Sequence, residues 1–142
     1  MLYLDKKEYE KANVYLEKLY DKNPDQWYSY YFTGLLGVKD YKEAEKISKK
    51  MLKRNPQSVN IYINIAKIYR EQGDTKKENE NYQKAIKDVI PLQAFIQQLA
   101  MDFMEEKLYD LAIETYLKGR KQTPEYPYYY EIAEVYKRKG DL

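Results

Sequence analysis

Residue types that usually carry enzyme chemistry are scarce in this chain of 142 residues. It contains no cysteine and no histidine, which excludes thiol nucleophiles, disulfide bonds, imidazole acid–base catalysis and the usual zinc ligand sets. Neither a glycine-rich phosphate loop nor a nucleophile elbow occurs in the sequence. The reactive groups that remain are Asp, Glu, Lys and Tyr, and carboxylates alone can still act as acid and base. We therefore expect no catalytic residue, no bound metal and no cofactor, and we keep an enzyme only as the lesser alternative.

The balance of charge limits the partners that the chain can bind. It has 25 Lys and Arg residues against 23 Asp and Glu residues, a net charge of +2, whereas binding a phosphate backbone requires a concentrated basic surface. The basic run from Lys42 to Arg54 is interrupted by Glu43 and Glu45, so we interpret it as a solvated helix face. The longest uncharged stretches, 26–38 and 89–101, are shorter than the roughly 20 apolar residues of a membrane span. We expect no nucleic acid partner and no membrane span.

The sequence pattern indicates that helices position the functional side chains of this chain. Pro24, Pro56, Pro91 and Pro124 recur at intervals of about 34 residues, a period typical of helical repeats. Each proline follows an apolar run with helical spacing and is expected to stop a helix, because proline cannot continue one. Midway between the prolines, the pattern Tyr-x-x-Ala puts a large and a small residue on one helical face. No alternation with a period of two extends over more than a few residues, so strands are not expected.

These boundaries predict eight short antiparallel helices, an all-α fold in which the helices form an α-α superhelix. The predicted helices cover about residues 5–22, 25–37, 40–54, 57–72, 75–89, 91–106, 108–122 and 125–139. We predict one continuous array over residues 1–142. It divides into a half repeat (1–24), three repeats (25–56, 57–91 and 92–124) and a second half repeat (125–142).

The spacing of large and small residues resembles that of the tetratricopeptide repeat, and the resemblance covers the whole chain. In the clearest copy, Gly73-Asp74 match the turn between the two helices of the repeat. The other matching residues of that copy are Tyr62, Ile65, Ala66, Tyr69, Tyr82, Ala85 and Pro91. A second copy matches with Ile96, Leu99, Ala100, Phe103, Tyr109, Ala112, Tyr116, Gly119 and Pro124. The resemblance implies a solenoid of helical hairpins that share one core.

Two departures and one further similarity refine this interpretation. Glu78 stands where the second helix of the family has alanine, and the repeat from Trp27 to Pro56 is about two residues short around "GLLGVKD". Stretches 67–77 and 107–121 are also similar to long bacterial repeat proteins, many of which are targeted to the cell envelope. That similarity implies a part of a longer bacterial protein. Its compartment, whether periplasm, envelope or cytoplasm, is left open.

Tyrosine is unusually frequent, with 18 copies. Half of them occupy repeat positions that face inward in the family, and for these we predict core packing. They are Tyr9, Tyr41, Tyr62, Tyr69, Tyr82, Tyr109, Tyr116, Tyr129 and Tyr136. The other tyrosines, which include Tyr28, Tyr31, Tyr128 and Tyr130, are predicted to be freer to bind a ligand.

In tetratricopeptide arrays the first helix of each repeat lines a concave groove, and here the first helices are poor in charge while the second helices are rich in it. The resemblance therefore implies a neutral, aromatic and amide-rich groove. Amide side chains suit the backbone of a bound peptide, and tyrosine gives rigid contact area at low entropic cost. The candidate peptide-binding residues are Tyr28, Tyr31, Asn64, Lys67, Gln97, Gln98, Met101, Tyr130 and Glu131. A clamp for an acidic C-terminal tail is not expected, because Tyr31, Gln97 and Met101 occupy slots that need cations.

The leading functional prediction is a protein–protein interaction scaffold that binds a peptide or protein segment in this groove. The alternative is a structural spacer or self-association segment of a larger bacterial envelope or regulatory protein. Residues 129–141 repeat the pattern of 62–74, so Leu142 would begin a missing second helix, and residues 5–24 look like a second helix without its first. We therefore expect a segment of a longer solenoid, whose uncapped ends associate end to end.

Overall fold

The computed structural model describes residues 5–140, and in that range it contains eight α-helices and no strand. The prediction of an all-α fold is confirmed. The helices are α1 (Lys6–Lys22), α2 (Pro24–Gly37), α3 (Tyr41–Arg54), α4 (Asn60–Glu71), α5 (Thr75–Asp88), α6 (Gln93–Glu105), α7 (Tyr109–Gln122) and α8 (Tyr129–Lys139). None of these helices is long and apolar enough to cross a membrane. The predicted helix start at Leu142 and residues 1–4 of the first half repeat lie outside the described residues.

The helix boundaries agree closely with the sequence pattern, and the largest difference is at the start of α8. We predicted that start at residue 125, whereas α8 begins at Tyr129. Pro124 stops α7 as expected, but Pro127 also lacks an N–H group and disfavours helical geometry at Tyr126. The segment between these prolines is therefore not helical.

Two clusters of buried apolar residues form the core, and helix α4 contributes to both of them. Ile61, Ile65 and Ile68 pack with residues from α2 and α3, while Ile63 and Ala66 pack with residues from α5, α6, α7 and α8. Residues three or four apart lie on one face of a helix, so Ile61, Ile65 and Ile68 share a face, while Ile63 and Ala66 lie on the opposite one. One short helix can therefore serve two clusters. Helix α4 is thus the element that connects the two halves of the described chain.

Helices α1 and α2 make a close contact at the "GLLG" sequence of the short repeat. Gly34 and Gly37 of α2 face α1, and an added methyl group would overlap Asn13 at the first position and the ring of Tyr9 at the second. Asn13 also donates a hydrogen bond from Nδ2 to the carbonyl oxygen of Gly34, at 3.0 Å. The sequence "GLLG" therefore allows the two helix backbones to approach closely.

Glu78 is accommodated without breaking the helix pair α4–α5. The hydroxyl of Tyr82, one turn later on α5, donates a hydrogen bond of 2.6 Å to Glu78 Oε2. The pKa of Tyr82 is raised, mainly by burial and next by this carboxylate. The carboxylate that replaces the usual alanine is therefore satisfied within its own helix.

Two tyrosines on α8 contradict the prediction of core packing. Tyr129 is 70% exposed and Tyr136 is 38% exposed, although the matching residues of α4, Tyr62 and Tyr69, are partly buried. The physical reason is that α5 covers this face of α4, whereas no helix follows α8 among the described residues. Conversely, Tyr28, Tyr31 and Tyr128, predicted to be freer, are buried.

The turns after α2, α4 and α6 share one left-handed residue, and only one of the three is glycine. Lys39, Gly73 and Lys107 have φ values of 60°, 77° and 59°. A non-glycine residue in this conformation loses roughly 1 kcal/mol relative to glycine, because its Cβ approaches the following carbonyl oxygen. The turns that contain lysine are therefore strained relative to the turn at Gly73.

We expect the substitution Lys107→Gly to raise the free energy of unfolding by about 0.5–1 kcal/mol, since it removes this strain at an exposed position. Urea unfolding followed by circular dichroism measures the change. The matched control is Lys84→Gly on the exposed face of α5, which should lose about 1 kcal/mol of helix propensity. Equal destabilisation by both substitutions would contradict the assignment of strain to Lys107.

Candidate functional site

Two adjoining cavities lie along helix α6. The first, which we call the α8 cavity, has a volume of about 280 Å³ and is lined by α6, α7 and α8. The second has a volume of about 130 Å³ and lies between α4 and α6. Glu105 contributes to both. We call the two cavities together the α6 groove, whose helices α4, α6 and α8 are the first helices of the predicted repeats.

Five of the nine predicted site residues line the α6 groove. Asn64 and Lys67 lie in the cavity between α4 and α6, and Met101, Tyr130 and Glu131 lie in the α8 cavity. Met101 is 52% exposed and Tyr130 is 77% exposed. Large apolar groups at these positions provide contact area that is not already used in the core.

Gln97 and Gln98 lie on α6 but do not line either cavity. Gln98 is exposed and donates a hydrogen bond of 3.0 Å from Nε2 to Oδ1 of Asp102, one turn later. Gln97 is half-buried. The amides therefore contribute less to the α6 groove than the sequence pattern predicted.

The prediction is wrong for Tyr28 and Tyr31, which are 6% and 5% exposed. Both belong to the cluster that packs α2 against α3 and α4, and the ring centroid of Tyr31 lies 5.5 Å from that of Tyr20 on α1. The assignment failed because α2 is apolar on several faces. Counting uncharged positions could not tell its core side from its groove side.

A buried chain of hydrogen bonds joins the hydroxyl of Tyr28 to two other helices. Ser48 donates to the carbonyl oxygen of Ala44 at 2.8 Å, so its single hydroxyl proton is used. Tyr28 must then donate to Ser48, at 2.8 Å, and it accepts from Nδ2 of Asn64 at 3.1 Å. Burial raises the pKa of Tyr28 to about 12, which keeps the phenol protonated for this role. One N–H of the Asn64 side-chain amide is therefore used in this hydrogen-bond chain, although Asn64 also lines the α6 groove.

The α6 groove also contains charged residues that the sequence analysis did not select. Glu105 follows Met101 by four positions and Glu134 follows Tyr130 by four, so helical spacing puts each pair on one face. Continuing that spacing beyond the uncharged stretches would have found them. The added lining residues are Asn60, Ile63, Asp102, Met104, Glu105, Glu106, Tyr116, Glu134 and Arg138.

The expectation of a neutral groove is wrong for these cavities. Five carboxylates and only two cations line them, a net charge of −3, although the whole chain has a net charge of +2. The uncharged stretch 89–101 stops one residue before Asp102, so the acidic last turns of α6 lay outside the segment on which the expectation was based. The groove surface therefore has the opposite sign from the chain as a whole.

The carboxylates differ in how far they are neutralised. Lys67 of α4 lies 2.5 Å from Glu106, and Arg70 lies 3.7 Å from its other oxygen. Burial raises the pKa of Asp102, and the nearby charge of Glu105 adds to that rise. Among the described residues Glu105 has no ion pair. The negative potential is thus concentrated at Glu105 and on the α8 side of the groove.

In the α8 cavity the acidic residues of α8 make only weak internal contacts. Glu131 accepts a hydrogen bond of 3.1 Å from the hydroxyl of Tyr126, and Glu134 lies 3.5 Å from Nε of Arg138. Helix α8 is held in place by Tyr128, which is 1% exposed and precedes the helix in a left-handed conformation. Its ring lies against Gly119 of α7, where an added methyl group would overlap it. The wall of the cavity therefore depends on this contact.

The chain is similar to known proteins over parts of its length. Residues 59–87, which span α4 and most of α5, match the family model of the tetratricopeptide repeat. Hsp70-Hsp90 organizing protein 3 from Arabidopsis thaliana is 32% identical over 92 residues, which are 64% of this chain. The match spans 16% of that relative's length. The solved structure of a MamA RS-1 ArsTM double mutant is 19% identical and has a TM-score of 0.47, covering 83% of this chain and 67% of that one.

The helical hairpins and their shared core define an α-helical repeat protein. With the family match on α4 and α5, the chain contains a tetratricopeptide repeat over residues 59–87.

We expect Tyr28→Phe to lower the free energy of unfolding by about 1–3 kcal/mol, because it removes the donor to Ser48 Oγ and the acceptor of Asn64 Nδ2. The matched control is Tyr116→Phe. Tyr116 is 4% exposed, and within residues 5–140 its hydroxyl makes no hydrogen bond, so its removal should change stability by less than about 0.5 kcal/mol. Thermal or urea unfolding of both variants measures the difference. Equal losses would contradict the hydrogen-bond chain.

Proposed function

We propose that this protein is a protein–protein interaction scaffold that binds a peptide or a protein segment in the α6 groove. The observation that carries the proposal is the groove itself, where Met101 and Tyr130 expose apolar surface beside polar and charged groups. Binding sites commonly combine apolar walls with a few polar groups that fix orientation. The family supports the same conclusion, as does a relative whose name describes an organizer of two other proteins.

The groove residues favour binding over catalysis. Its acidic groups lie on the open faces of α6 and α8, and the buried tyrosine of the α8 cavity, Tyr116, has a pKa raised to about 12 by burial. A phenol with that pKa is a poor proton donor or acceptor near neutral pH. A clamp for an acidic tail is also disfavoured, because carboxylates outnumber cations along the groove.

A selection from a display library of random extended peptides tests this function. We expect ligands whose binding weakens about tenfold on Tyr130→Ala or Met101→Ala, as is usual when an interface anchor is truncated. Fluorescence polarisation with the purified variants measures the change. Both residues are exposed in the free protein, so the substitutions should not affect folding.

The controls are Leu117→Ala on α7 and Tyr15→Ala on α1, which remove exposed apolar side chains elsewhere, 41% and 68% exposed. These variants should bind the selected peptides like the unmodified protein. Ligands that respond only to the control substitutions would place binding on another face and contradict the proposal.

A second candidate function is a structural segment that associates through its ends, and one observation favours it. Ala133 and Tyr136 of α8 are exposed, although their counterparts Ala66 and Tyr69 on α4 are covered or partly covered. If this face pairs with another copy, the mass measured by light scattering should rise with concentration. Replacing Tyr129 and Tyr136 by Ser should abolish that rise, and a monomer at all concentrations would contradict this candidate.

A further inference from the structure

The α8 cavity combines three features that together indicate the chemistry of what it binds. Its walls are Met101, Met104 and Tyr130, its rim has the carboxylates Glu105, Glu131 and Glu134, and Tyr116 lies at its base among buried residues. A volume of about 280 Å³ is just below the range of about 300–1,000 Å³ usual for sites that take drug-sized ligands. The space is therefore suited to a single large side chain.

Tyr116 is the feature that points to a ligand. Its side chain is 96% buried, since its exposure is 4%, yet its hydroxyl makes no hydrogen bond with any other residue in the described range. Tyr116 lines the cavity, and its hydroxyl is not one of the fully buried unpaired atoms of the described residues, which are Asn13 Oδ1 and the Tyr128 hydroxyl. The Tyr116 hydroxyl is therefore accessible, and a donor that enters the cavity can hydrogen-bond to it.

The surrounding charge selects the type of donor. Carboxylates outnumber cations three to one around this cavity, and the single cation, Arg138, is 3.5 Å from Glu134. A neutral donor would satisfy Tyr116 but would leave this negative potential uncompensated. A cationic group satisfies both, and its aliphatic stem can lie along methionine and tyrosine side chains while its charged end reaches the carboxylates.

We propose that the α8 cavity takes a lysine or arginine side chain from a basic peptide segment, an inference that rests on the proposed function of the α6 groove. The cation lies between Glu105, Glu131 and Glu134, donates a hydrogen bond to the hydroxyl of Tyr116, and packs its stem against Met101 and Tyr130. The raised pKa of Asp102, in the neighbouring part of the groove, fits the same preference. An incoming cation lowers the cost of keeping that carboxylate charged.

The test uses three capped peptides of identical length, in which serine and glycine separate three variable positions. These positions carry arginine in the first peptide, citrulline in the second and glutamate in the third. Citrulline keeps the shape of arginine but lacks its charge, so the pair isolates the effect of charge. Amide chemical shifts of the isotope-labelled protein report both the affinity and the place of binding.

We expect the arginine peptide to shift amides around the α8 cavity and to bind about fivefold more tightly than the citrulline peptide, as expected for one partly exposed charge pair. The glutamate peptide should not bind there. Raising the salt concentration should weaken binding of the arginine peptide more than binding of the citrulline peptide, because salt screens only the charged contact.

Variants of the protein give changes of opposite sign. Glu131→Gln should lower the affinity for the arginine peptide by about threefold. Arg138→Gln, which removes the competing cation, should raise that affinity by about twofold. Tyr116→Phe should weaken binding while leaving the unfolding midpoint unchanged. The control Glu80→Gln removes an equal charge from the exposed face of α5 and should have no effect.

The preference for a cation is overturned if the arginine and citrulline peptides bind equally, or if Arg138→Gln and Glu80→Gln act alike. Equal binding at the α8 cavity would leave the proposed groove function standing. If none of the three peptides shifts any amide of the groove, the cation preference also fails. The display selection then decides the groove function independently, since its peptides are not restricted in charge.

Discussion

The structure depends on the burial of helix α4 on two opposite sides. Ile61, Ile65 and Ile68 complete the cluster around α2 and α3, while Ile63 and Ala66 complete the cluster that extends to α8. Apolar burial of this kind contributes about 25 cal/mol per Å², so neither cluster can lose α4 without a large loss of stability. The remaining face of α4 carries Asn64 and Lys67 into the α6 groove. The helix that joins the two cores therefore also fixes one wall of the candidate site.

Contacts between helices transmit this constraint to the rest of the groove. The ion pairs from Lys67 and Arg70 to Glu106 tie α4 to the end of α6. Lys118 of α7 donates hydrogen bonds to the carbonyl oxygens of Ile86 and Lys87 at the end of α5, which otherwise lack helical partners. Burial lowers the pKa of Lys118, because removing the charged ammonium group from water costs free energy. The helices that form the groove are thus fixed in place by contacts with neighbouring helices.

Much of the fold could be predicted from the sequence, because the signals for it are local. Prolines and the left-handed position at Gly73 mark helix ends, and Ala66, Ala85 and Gly119 mark places where helices approach closely. The start of α8 was missed because a second proline, Pro127, overrides the helical pattern around it. The exposure of Tyr129 and Tyr136 was missed because inward-facing positions were assigned from the repeat pattern alone, without considering that no helix follows α8 among the described residues.

The candidate site was predicted only in part, since a site depends on which faces of separate helices meet. Periodicity selected Met101 and Tyr130, which line the α8 cavity, but it could not show that Tyr28 hydrogen-bonds with Ser48 and Asn64 inside the core. The negative net charge of the groove was not predicted, for a related reason. Glu105 and Glu131 are distant in sequence, and only the packing of α6 beside α8 brings their charges to one cavity.

Partners are proposed to bind on the side of α4, α6 and α8, and paramagnetic relaxation tests this placement without an assumption about which residues matter. A peptide obtained by selection is labelled with a nitroxide, and the loss of amide signals in the isotope-labelled protein reports which helices lie near it. We expect losses concentrated at residues 60–67, 97–105 and 130–138. Losses concentrated on α3, α5 and α7, with these ranges unaffected, would contradict this placement.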